Sequence, residues 1–151
     1  MANSQAMTTS FKTELLSGIH ALGTTVIRAG TGADTVKAAL YLASATVNDA
    51  TTAYSATGEV SGTGYTAGGV TATNATAPTS SGTTAFWTPS ASFTYTTVTL
   101  TTSFDCVLVY NSTQSNKAIS VHTFGAQTIT AGTFVLSMPT NDASNALIRI
   151  A

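Results

Sequence analysis

The sequence predicts an all-β protein, a β-sandwich of jelly-roll type with one short N-terminal helix, on three observations. Thr fills 32 of 151 positions, and its β-branched side chain, stiff at χ1, favours a pleated, half-exposed surface over a helix. Apolar residues in the C-terminal half alternate with polar ones or form short runs bounded by Gly, Pro, Asn and Ser, as strands do. About eight such segments follow one another at short spacing, the rhythm of sandwiches and jelly rolls.

Each element has its own signal. Residues 1–9 are small and polar and read as an N-terminal arm ahead of a single domain over 10–151. Residues 10–22 read as the helix, because Phe11, Leu15, Ile19 and Leu22 fall on one helical face. Ser10 would cap it, Glu14 would sit in its first turn, and Gly23 would stop it. Gly18 inside it would cost about 1 kcal/mol relative to Ala. That face packs either on its own sheet or on a neighbouring subunit. A short strand is expected at 24–28, a turn at 30–34, and a strand at 36–42 with Val36, Leu40 and Leu42 opposite Lys37 and Tyr41. Residues 44–69 read as a long Gly-rich loop, 70–76 as a weak strand and 77–84 as a linker-like loop. Pro89 confines Phe86-Trp87-Thr88 to a sheet edge or a turn. Strands follow at 93–100 and 104–110, with a polar turn at 111–116 and a return strand at 118–124. A second hairpin is expected at 127–138 around Ala131-Gly132. A turn at 141–145 leads to a last strand at 146–150.

Composition narrows function. Five basic and six acidic residues leave a net charge of −1. A skin of hydroxyls, amides and methyls suits packing against copies or a larger assembly better than a free enzyme. Leu, Ile, Val and Phe number 31, enough for a small core. The basic residues Lys12, Arg28, Lys37, Lys117 and Arg149 are scattered and form no patch for nucleic-acid phosphates or an anionic membrane. No apolar run approaches the roughly 18 residues of a membrane-spanning helix. Met1 to Met7 lacks the basic and apolar regions of a secretory signal, so synthesis in a cytoplasm is expected. Cys106, the one cysteine, lies in an apolar run and reads as a buried, inert thiol.

No catalytic motif is legible. His20 and His122 lack neighbours at metal-ligand spacing, and no Gly-x-Ser-x-Gly elbow occurs. Asp105 is the one carboxylate inside a strand, which leaves a glycosidase pair unsupported. Asp49 and Glu59 flank the long loop but fall short of the six or more oxygens that calcium takes. The five glycines between Thr57 and Gly69 lack a following helix and a Gly-Lys-Ser/Thr ending, so they do not read as a phosphate cradle. Neither cofactor nor metal is expected. Asn74-Ala75-Thr76 and Asn111-Ser112-Thr113 match the glycosylation pattern by chance in a Thr-rich chain. Trp87 is read as a hydrophobic anchor in the core or at an interface, with a sugar-stacking platform as the other reading.

Four segments occur in a recognisable order: Met7-Thr8-Thr9-Ser10-Phe11-Lys12-Thr13-Glu14-Leu15-Leu16, Val36-Lys37-Ala38-Ala39-Leu40-Tyr41, Thr57 to Gly69, and Met138-Pro139-Thr140-Asn141-Asp142-Ala143 onward to Ile150. The series resembles small virion structural proteins of tailed bacteriophages, including phages of aquatic bacteria, and spans most of the chain. The resemblance implies a non-enzymatic particle component. Within that class it implies a capsid cement or decoration protein on the outer head surface, which bridges major capsid protein subunits and associates with copies of itself as a trimer. A head–tail connector or tail component, or a receptor- or glycan-binding fibre module using Tyr54, Tyr65, Trp87 and Tyr95, are the alternatives. Phe11, Leu15, Ile19, Tyr65 and Trp87 are the expected interface residues.

Overall fold

The computed structural model describes residues 3–16, 18–22, 33–73 and 76–151. The expected strand at 24–28, most of the turn at 30–34, the Gly23 stop and Asn74 lie outside them. The all-β class with one short helix holds: eight strands and one helix occur among the described residues. The strands are β1 (Ala6–Met7), β2 (Val36–Leu42), β3 (Val70–Thr71), β4 (Thr79–Ser81), β5 (Thr84–Trp87), β6 (Phe93–Asn111), β7 (Lys117–Leu136) and β8 (Ile148–Ile150), and α1 spans Thr9–Leu16. They form a five-stranded antiparallel sheet, β1-β7-β6-β2-β3, and a three-stranded antiparallel sheet, β4-β5-β8. This strand order does not by itself make a jelly roll.

The centre is one long hairpin. β6 and β7 run 19 and 20 residues where two pairs of short strands were expected. The expected breaks are bulges instead: the register shifts between Tyr95 and Val98 and again before Leu100, Phe104 and Cys106, while Thr97 and Ala131 take left-handed φ of 54° and 48°. An extra residue bends and twists a strand without ending it. Ala131-Gly132 is therefore a bulge and not a turn. The turn after Asn111 is a true one, with Ser115 and Asn116 at positive φ and Asn111 Oδ1 accepting from the Thr113 and Gln114 amides.

β2, as expected at 36–42, is buried on both faces because β6 and β3 flank it and layers cover it above and below. On one face Val36, Ala38 and Leu40 join Val107, Val109 and Ile119 in the main core with Phe11, Trp87 and Ile148. On the other, Ala39 and Tyr41 join Cys106, Leu108 and Tyr110 under Val47 and Tyr54 of the long loop. Cys106 is fully buried, and burial pushes its thiol up to about 12, which keeps it protonated at neutral pH.

The N-terminal region departs most from expectation. Residues 3–9 are not a separate arm. β1 pairs with Ser120 and Val121, and Asn3 donates to Asp105 Oδ1 at 2.6 Å and accepts from Val47 N at 2.8 Å. Thr8, fully buried, is the helix N-cap in place of Ser10, with its Oγ1 accepting from Phe11 N at 3.3 Å. The helix ends at Leu16, seven residues before Gly23. Gly18, at φ +67°, is the stop: its N–H reaches Leu15 O and the Ile19 N–H reaches Glu14 O, both at 3.0 Å. That pair of bonds is the Schellman arrangement, which a left-handed Gly permits. Ile19 therefore leaves the helical face. The linker-like 77–84 is also structured, since β4 and β5 pair around Gly82 at φ +57°. β5 is the middle strand of its sheet, and Pro89 falls just beyond its end, where no ladder bond is needed.

The glycines of the long loop serve close approach to the sheet. A Cβ on Gly69, at φ +72°, would stand 1.7 Å from Ala38 O, and one on Gly62 would stand 2.0 Å from Thr99 O. Gly82 has open space around it. Gly69→Ala is expected to destabilise by at least about 3 kcal/mol, clash adding to backbone strain, and Gly82→Ala by about 1 kcal/mol, strain alone. Chemical denaturation of the two variants checks the difference.

Candidate functional site

Three of the five expected interface residues meet at one apolar cleft. α1 supplies Phe11 and Leu15, four residues apart and so on one face, and the reversal at Gly18 brings Leu22 back beside them. Trp87 of β5 and Ile148 and Ile150 of β8 form the opposite wall. The cleft holds about 410 Å³ and is open to solvent as the described residues define it. Phe11 and Trp87 are its floor, 0% and 1% exposed, whereas Ile150 at its rim is 47% exposed. Trp87 is anchored by Nε1 donating to Thr76 O at 3.0 Å, so it is a core anchor and not an open stacking platform. Ile148 and Ile150 were missed at the sequence level, although their two-residue spacing places them on one side of a strand.

Ile19 and Tyr65 do not join this cleft. Tyr65 belongs to a cluster around Glu59, at the edge of β2 where Tyr41 bridges to Glu59. The Glu59 carboxylate accepts from Tyr54 OH at 2.6 Å, Tyr65 OH at 2.7 Å and the Gly68 amide at 2.7 Å. Tyr65 OH in turn accepts from Leu40 N at 3.0 Å. Tyr54 stacks on Tyr110 and Tyr65 on Tyr95, with ring centroids 4.8 and 6.0 Å apart. Burial, then the bond to Glu59, raises the Tyr54 and Tyr65 hydroxyls far above their ordinary range, so both stay protonated donors. Tyr110 is pushed up to about 12 by burial and donates to Gly68 O at 2.8 Å. Tyr95, also buried, donates to Ala38 O at 2.9 Å. Of the aromatics considered for a glycan platform, Tyr54 and Tyr65 turn their hydroxyls inward and hold the loop to the sheet, while Tyr95 and Trp87 are buried in the core.

A second polar cluster ties α1 to the hairpin turn. Glu14 accepts from Lys117 Nζ at 2.6 Å and from His20 Nε2 at 2.8 Å. Asn111 Nδ2 lies 3.0 Å from His20 Nδ1 and 2.7 Å from Asp34 Oδ2. The Asn111 amide cannot flip without losing the two turn amides on its Oδ1. His20 Nδ1 must therefore accept, which places the ring proton on Nε2. The neutral imidazole has both nitrogens engaged, and its ring packs edge-on against Phe11 at 4.7 Å. Burial raises the Glu14 carboxyl, but the hydrogen bonds from Lys117 and His20 outweigh it and leave the group below its ordinary value. Burial holds His20 below its ordinary value despite Glu14. Sequence spacing gave no hint of this His–carboxylate contact, because Gly18 turns the chain back on itself. Among the described residues no three His, Cys, Asp or Glu side chains gather as a metal site, and Glu59 already takes three donors. The Ser120 and His122 side chains are 2.9 Å apart, but Ser120 is 1% exposed and closed to a substrate.

The class of protein these features define is an all-β body with inward-turned polar clusters and an open apolar cleft. No protein-family profile, characterised protein or solved structure matches the chain. No described helix is long and apolar enough to cross a membrane.

Glu59→Leu is expected to cost about 3 kcal/mol or more by orphaning three donors, and Glu59→Gln about 1 kcal/mol, since an amide oxygen still accepts two of them. Equilibrium unfolding, with Tyr fluorescence as a second probe, separates the two. Burial also lowers His122 to about 4. Its folded pKa lies below its unfolded value of about 6.5, so the unfolded chain takes up the proton first and stability falls as pH drops from about 6.5 towards 4. The loss is on the order of 2–3 kcal/mol at about 1.4 kcal/mol per pKa unit. The pH dependence of stability across that window should be reduced in His122→Gln, leaving the smaller share that His20 contributes.

Proposed function

We propose that this chain is a non-enzymatic virion structural protein of a tailed bacteriophage, and within that class a capsid decoration protein that bridges and stabilises major capsid protein subunits on the outer head. The observation that carries the reading is the direction of its polar chemistry. Glu14, Asp34, Glu59, Asp105 and Asp142 each accept internal hydrogen bonds. Most of the carboxylates thus serve the fold, and apart from Lys12, Asp49 and Arg149 the exposed described positions are mainly Thr, Ser, Ala and Gly. Such a surface joins a neighbour with little charge to desolvate, and an exposed apolar patch on a small body is a common interaction site. The resemblance of four ordered segments to small phage virion proteins supplies the class of partner. A glycan-binding fibre module is less well supported, because Tyr54, Tyr65, Trp87 and Tyr95 are used inside the body.

In this reading the cleft beside α1 faces the capsid. Phe11 and Trp87 are core residues, so the informative variant is at the rim. Ile150→Glu should leave the fold intact and lower occupancy of heads lacking the protein at least about tenfold, the equivalent of 1.4 kcal/mol. Quantitative gel analysis of heads purified after mixing reads this out, and wild-type occupancy would remove the cleft from the contact. Electron cryo-microscopy of virions tests the role itself. Density repeating over the icosahedral lattice is expected, and density confined to the tail vertex or tip would replace decoration with a connector or adhesin role.

A further inference from the structure

Among the described residues, strands and loop cover the first part of β7 and none pairs with the rest on its outer side. Its first part is paired on the side away from β6: Ser120 and Val121 with β1, Lys117 with Ala53, and Ala118 N with Thr52 O. From Phe124 to Leu136 no described strand pairs on that side. These 13 residues, FGAQTITAGTFVL, contain no charge and no proline. At about 3.4 Å per residue they present roughly 40 Å of edge. Monomeric proteins blunt such an edge with Lys, Pro, inward charges or bulges; this one has neither Lys nor Pro, and its irregularities are the register shift between Thr123 and Gln127 and the bulge near Ala131. The segment also carries Val135, 49% exposed and one of two exposed large hydrophobic residues among the described residues, between the half-buried Phe134 and Leu136.

We propose that this edge pairs with the same edge of a second copy of the chain, antiparallel and related by a two-fold axis, so that two five-stranded sheets continue into one. A second copy is the occupant the segment fits, because two-fold pairing sets an uncharged strand against itself with no like-charge contact and closes without propagating. Backbone groups supply the affinity, as in other strand additions, and Val135 goes from exposed to covered. The inference rests on the edge alone; it sets a two-fold pair in place of the trimer that the resemblance implies, and the virion role itself is decided separately by the particle maps.

The test is sedimentation analysis of the purified full chain over a dilution series, with hydrogen exchange at both ends of the series. The expected species is a dimer of twice 15.3 kDa, with amides between Phe124 and Leu136 exchanging more slowly in the concentrated sample. Thr128→Lys and Thr130→Lys, both exposed and at the middle of the segment, each bring like charges together near the axis. Each should halve the mass with circular dichroism unchanged and with a Tm that no longer depends on concentration. A wild-type mass of 15.3 kDa throughout, a closed trimer, or a dimer that neither Lys variant dissociates would overturn the proposal. So would amides in this segment whose exchange does not depend on concentration.

Discussion

The Glu59 carboxylate is the constraint on which the fold depends. The chain between Leu42 and Val70 has no strand of its own, yet it covers one face of the central sheet and crosses the β2 edge to the other. Regular hydrogen bonding cannot hold such a segment, so side chains do. Tyr54 lies with Tyr110 in the core on one face, and Tyr65 lies with Tyr95 in the core on the other. Both hydroxyls converge on the same carboxylate, together with the Gly68 amide. A buried charge is costly unless it is hydrogen-bonded, and three donors meet that condition. Once they are in place, Gly62 and Gly69 can lie against strand carbonyls with no side chain in the way.

The same economy governs the other side of the molecule. Glu14, His20, Asn111, Asp34 and Lys117 form one hydrogen-bonded group that joins α1, the reversal after it and the turn of the long hairpin. Asn111 is its pivot, since one side chain orders the turn through Oδ1 and the helix return through Nδ2. A chain with eleven charged residues uses several of them at these two joints. The surface that remains is suited to contact with other uncharged surfaces, which connects the internal energetics to an assembly role and to the open edge of β7.

Much of the fold was legible in the residues. Alternation and apolar runs located β2, the core of the β6–β7 hairpin with its turn, and the last strand. They also marked Cys106 and Trp87 as internal. The breaks in the hairpin were misread because Thr101-Thr102-Ser103, Gly125-Ala126 and Ala131-Gly132 look like strand ends and turns, and only the cross-strand register shows that they are irregularities within two continuous strands. Gly18 was misread as a weak point inside a helix, because a Gly that destabilises and a Gly that terminates have the same local sequence. The candidate cleft was half legible. Phe11, Leu15 and Trp87 stood out as apolar anchors, but no local pattern joins residue 11 to residue 150.

The class of secondary structure and the poverty of charge could be read from the residues alone, because Thr content, alternation and charge count act locally and survive any arrangement of the strands. Which side chains share a site was settled only by the packing of the sheets. Glu59 with Tyr54, Tyr65 and Gly68, His20 with Glu14 and Asn111, and the half-open edge of β7 arise from pairings between distant parts of the chain. Their energies depend on burial and hydrogen-bond geometry that exist only after the sheet has formed.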